Sequence, residues 1–72
     1  MKQFKKFIEL SKSKKFTWTL KKDNRNNEPY YFQLWHDCWH CHLEPHKNLE
    51  DASTEGIETI NEYLEYIKRK IK

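Results

Sequence analysis

Phe4, Phe7 and Ile8 recur at helical spacing, while Lys2, Lys5, Lys6, Glu9 and Lys12 fall elsewhere on the turn. This pattern predicts a short amphipathic helix ending near residues 11–13, with a lysine-rich outer face. The period then drops to two. Phe16, Trp18 and Leu20 alternate with Thr17, Thr19 and Lys21, which predicts a strand over 15–21 with one apolar face. The run 22–28 is polar and rich in Asn, without an apolar anchor, and reads as a hairpin loop. Pro29 can open the next strand, where Tyr30, Phe32 and Leu34 alternate with Tyr31, Gln33 and Trp35. Toward the C-terminus Ile57, Ile60, Leu64, Ile67 and Ile71 follow in steps of three and four, the strongest helical signal in the chain. Asp51, Ser53 and Thr54 are its N-cap candidates. Glu55 and Glu58 near its start and Lys68, Arg69, Lys70 and Lys72 near its end match the helix dipole.

Residues 36–46 decide the rest. With His36-Asp37 as a two-residue turn, Trp35 faces Cys38, Leu34 faces Trp39, Gln33 faces His40, Phe32 faces Cys41 and Tyr31 faces His42. Tyr30, Phe32, Leu34, Trp39, Cys41 and Leu43 then share one face. Tyr31, Gln33, Trp35, Cys38, His40 and His42 share the other. That clean sorting favours a third strand over 38–43. His-Asp is a poor two-residue turn, so a wider turn or a bulge is the alternative.

The expected fold is therefore α+β, a single domain over 1–72 in the order α-β-β-β-α. Its three-stranded antiparallel sheet has both helices packed on one face. The expected core is Phe4, Phe7, Ile8, Phe16, Trp18, Leu20, Tyr30, Phe32, Leu34, Trp39, Cys41, Leu43, Ile57, Ile60, Leu64 and Ile67. Three Trp, four Tyr and four Phe in 72 residues supply the mass for it, since each aromatic ring buries roughly 150–250 Å². A single Gly and two Pro argue against a disordered chain. The element order is also that of double-stranded RNA-binding domains. Those need basic residues at the start of the last helix, where this chain has Glu55, Gly56 and Glu58.

The net charge of +3, with a pI of about 8.9 and mean hydropathy of −1.15, permits an acidic partner or nucleic acid and singles out neither. The opening residues never enter a continuous apolar run, and no stretch approaches a membrane span. A cytoplasmic location, reduced cysteines and no membrane partner are expected.

All four histidines and both cysteines lie between His36 and His46. In a loop, Cys38 and Cys41 would direct both sulfurs at one ion, with His36, His42 or His46 completing a zinc site. In a strand they point to opposite faces. A strand-borne site would instead use Cys38, His40 and His42. Cys38-Trp39-His40-Cys41-His42 also matches the c-type haem attachment pattern, but that attachment requires export, and the chain is short for a porphyrin.

No glycine-rich phosphate loop, nucleophile motif or pair of carboxylates in an apolar setting is present, so enzyme activity is not expected. The first functional reading is a protein-binding module, a modulator or inhibitor, acting through Tyr31, Gln33, Trp35, His40 and His42, because Trp and Tyr are enriched among interface anchors. The alternative is nucleic-acid binding through Lys2, Lys5, Lys6, Lys12, Lys14, Lys15, Lys21, Lys22 and Arg25. A zinc-dependent fold stands behind both.

Overall fold

The computed structural model describes residues 2–22 and 29–70. The elements are α1 (Lys2–Ser13), β1 (Thr17–Lys22), β2 (Tyr30–His36), β3 (Trp39–His42) and α2 (Leu49–Lys70). The sheet is antiparallel in the order β1-β2-β3. This is the α-β-β-β-α arrangement expected from the hydrophobic pattern. The first hairpin loop, including Arg25, lies outside the described residues apart from Lys22, which extends β1.

α1 ends in a Schellman motif. Phe16 N donates to Ser11 O at 2.8 Å and Lys15 N to Lys12 O at 3.4 Å, and Lys15 takes a left-handed φ of 64°. Such a position usually selects Gly. Here a lysine closes the helix, and Phe16 turns under into the core, 6% exposed. The strand therefore starts at Thr17 rather than at Lys15 as the alternation suggests.

α2 starts earlier than its N-cap candidates predict. Asn48 caps it, its side-chain oxygen accepting from Asp51 N at 2.8 Å. Asp51, Ser53 and Thr54 lie inside the helix. Ser53 Oγ donates to Leu49 O and Thr54 Oγ1 to Glu50 O, so neither hydroxyl is left seeking a partner. Glu50 serves the other helix. Its carboxylate accepts from Gln3 N at 2.9 Å, placing a negative charge on the positive end of α1.

The helices meet through small side chains. Ser11 on α1 and Ala52, Ser53 and Gly56 on α2 are all buried. Ile8 is 37% exposed, which corrects its expected place in the core. The buried stripe of α1 runs through Phe4, Phe7 and Ser11, and Ile8 falls beside it. Beneath the helices Phe7 sits 4.4 Å from Phe32 and 5.5 Å from Trp18 between ring centroids. Tyr63 of α2 stacks on Trp39 at 4.2 Å and meets Phe16 edge-on. Both helices thus cover one sheet face, and neither covers the other.

Candidate functional site

The second hairpin orders the candidate chemistry. Gln33 pairs with His42, Leu34 with Cys41, Trp35 with His40 and His36 with Trp39. The turn is Asp37-Cys38, not His36-Asp37, and each β3 partner lies two positions beyond the expected one. Asp37 takes φ 53°, a region that Asp tolerates better than most residues. His36 does not turn because its ring packs into the core. It lies 4.6 Å from the Phe16 ring, and the Tyr63 hydroxyl is 3.4 Å from its Nδ1. Side chains alternate with period two, so a two-position shift leaves the residues of β2 and β3 on their expected faces.

The uncovered face carries Thr17, Thr19 and Lys21 from β1, Tyr31, Gln33 and Trp35 from β2, and His40 and His42 from β3. Trp35 stands on the central strand between Thr17 and His40 and is 37% exposed. The Gln33 side-chain amide lies 3.1 Å from His42 Nδ1. The His40 and His42 rings are 5.7 Å apart between centroids. None of the eight residues is a carboxylate.

The cysteines part ways. Cys38 sits exposed in the turn, off the strand face it was expected to share with His40 and His42. Cys41 points toward the helices. Burial, and then the Glu55 carboxylate, push its thiol above the ordinary range, a setting that favours the protonated and unreactive form.

His46 is re-aimed by a bulge. Leu43 N donates to Phe32 O at 2.9 Å, and His46 exchanges both backbone bonds with Tyr30 at 3.0 and 2.7 Å. Glu44 and Pro45 together therefore oppose Tyr31, so one extra residue is inserted. Without it His46 would join His40 and His42 on the uncovered face. With it, the imidazole meets Glu55 on α2, Nε2 to Oε1 at 2.5 Å. It borders a shallow, open acidic depression with Asp51, Thr54, Glu55 and Glu58. The cluster thus disperses: His36 under α2, Cys38 in the turn, Cys41 and His46 toward α2, and only His42 of the loop-type zinc candidates on the open face, while the strand-borne set keeps His40 and His42 and loses Cys38. Among the described residues, no three His, Cys, Asp or Glu side chains come together as a metal site.

The lysines are also divided. Lys2, Lys5, Lys6 and Lys12 are exposed on α1, and Lys14 and Lys15 follow in its cap. α1 packs on the sheet face opposite Trp35. Lys22 lies over the Tyr30 ring on the helix side at 5.5 Å, and Lys21 is the one lysine of β1 on the open face. No described helix is long and apolar enough to cross a membrane. Set against protein-family models, curated proteins and solved structures, the chain matches none of them.

Proposed function

We propose that this protein is a non-enzymatic binding module whose contact surface is the uncovered sheet face, and that it docks on an acidic patch of a protein partner. The observation that carries the reading is the placement of Trp35. The other two tryptophans pack against the core, while Trp35 stands partly exposed on the central strand between Thr17 and His40. An indole with one face in solvent offers large contact area at a small loss of conformational freedom. Lys21, with no carboxylate among the eight strand positions, favours an anionic visitor over the part of the face away from Glu44, which opposes Tyr31 at its end. A polypeptide visitor is favoured over nucleic acid, because the lysines of α1 and its cap lie away from the aromatic face and cannot follow a strand stacked there.

A peptide display library tests this. The wild-type domain is expected to enrich peptides in which Asp or Glu flank an apolar residue. Trp35→Ala is expected to weaken the enriched peptides about 30-fold or more, the size of an interface hot spot. Its far-UV spectrum should be unchanged and its stability within about 1 kcal/mol of wild type, as for a solvent-facing sheet position. Failure to enrich any peptide, or equal binding by Trp35→Ala, would contradict the reading. Tight, salt-steep retention on single-stranded nucleic acid would replace it with the alternative.

A further inference from the structure

We propose that His40 and His42 form a two-histidine clamp for one divalent transition-metal ion of the imidazole-binding class, with water completing the coordination. The two residues are next-but-one neighbours on β3, so both rings rise from the same face. Both are exposed, and neither helix lies over them. Metal-bound imidazole nitrogens sit about 2.0–2.1 Å from the ion, which puts two ring centroids of a tetrahedral pair about 5 Å apart. The observed centroid separation is 5.7 Å, with the planes at 73°, within about 1 Å of that spacing.

The neighbouring strand supplies the orienting group. A ligating histidine commonly donates its second ring N–H to a carbonyl or carboxylate, which fixes the tautomer and frees the other nitrogen for the ion. The Gln33 amide lies against His42 Nδ1 at 3.1 Å. The Gln33 atom against it is the amide nitrogen, a donor; turning the amide over on metal binding brings its oxygen there instead, which accepts the Nδ1 proton and leaves the Nε2 lone pair of His42 for the metal. Amide orientation is a two-fold choice of this kind. The site excludes the cysteines, since Cys38 stands in the turn and Cys41 under the helices. Imidazole ligands without carboxylates favour Cu²⁺, Ni²⁺ and Zn²⁺ over Mg²⁺ and Ca²⁺.

The clamp requires no protein partner, so its test is separate from that of the docking surface. Ni²⁺ is titrated into the full chain under a non-chelating reductant, by calorimetry and by tryptophan fluorescence. One ion per chain is expected, with quenching of Trp35, the cross-strand neighbour of His40. Trp35→Phe should remove most of the quenching and leave the heat of binding in place. His40→Ala or His42→Ala should weaken binding about a hundredfold or more, through loss of the second intramolecular ligand. Gln33→Ala should weaken it about tenfold. Cys38→Ser and Cys41→Ser should bind as wild type, and Mg²⁺ should give no signal. Wild-type affinity in either histidine variant, loss of binding in a cysteine variant, or no Ni²⁺ binding at millimolar concentration would overturn the assignment.

Discussion

Replacing Phe32 by Ala is expected to lower the melting temperature by at least about 12 °C. Phe32 is fully buried on the central strand. Its ring lies 4.4 Å from Phe7, 5.5 Å from Trp18 and 6.4 Å from Phe4. Truncation removes the one ring that all three of these share. A buried Phe→Ala change costs about 3–5 kcal/mol, and the total stability of a small domain is about 5–15 kcal/mol, with chains of this length toward the lower end. Each kcal/mol lowers Tm by about 4–8 °C in a domain of this size, so a fall of at least about 12 °C is expected by thermal or urea denaturation. Phe32→Leu keeps most of the volume and should lose about 1–2 kcal/mol. A Phe32→Ala protein as stable as wild type would mean that this residue does not sit beneath the helices.

Gly56→Val is expected to be the second most damaging change, at about 3 kcal/mol. Here the rules for an isolated helix point the wrong way. Filling a mid-helix glycine with alanine normally gains about 1 kcal/mol. A Cβ at residue 56 would lie 2.7 Å from Phe7 Cε1 and 2.8 Å from Phe7 Cδ1. The Phe7 ring is fully buried and packs against Trp18 and Phe32, so accommodating a Cβ means displacing a packed ring. Overpacking of this kind costs about 1–3 kcal/mol, so Gly56→Ala should lose about 1–2 kcal/mol despite its propensity gain. Valine adds two methyl groups and a stiff χ1 to the same clash. The mechanism is checked by a double-mutant cycle. Phe7→Leu alone should destabilise, but in its presence Gly56→Ala should cost less by at least about 0.5 kcal/mol, the coupling expected of residues in contact. Strict additivity would show that the glycine serves some other purpose.

Most of the layout was legible in the hydrophobic pattern. Period two in Phe16–Leu20 and Tyr30–Trp35 gave two strands, and face sorting gave the third. The aliphatic steps from Ile57 to Ile67 gave the last helix, although not its true beginning. Asn48 was hidden because the first turns of α2 bury Ala52, Ser53 and Gly56, small residues that carry no hydrophobic signal yet set how closely the helices approach. Ile8 was misplaced because α1 buries a serine, Ser11, where the pattern sought an aliphatic.

The candidate site divides similarly. Tyr31, Gln33, Trp35, His40 and His42 share the face that alternation assigned to them. The turn was misplaced by one residue because no local rule reveals that His36 has an aromatic cage of Phe16 and Tyr63 waiting for it across the fold. His46 could not be read at all from its own neighbours. Its direction depends on one extra residue between Leu43 and the Tyr30 bridge. A bulge of that kind changes a side chain's face without any change in local hydrophobicity.

The central claim is that the second hairpin turns at Asp37-Cys38 and sets Trp35 beside His40 on the uncovered face. The most direct measurement is the pattern of Hα–Hα nuclear Overhauser contacts across β2 and β3. The Leu43 N to Phe32 O bond places the hydrogen-bonded pairs at Leu34–Cys41 and His36–Trp39. Trp35–His40 and Gln33–His42 are then the close, non-hydrogen-bonded pairs, with Cα atoms about 4.5 Å apart. Strong Hα–Hα contacts in both of these pairs are predicted. Contacts joining Trp35 to Cys38 and Gln33 to His40 would contradict the register and move the indole away from its histidine neighbour.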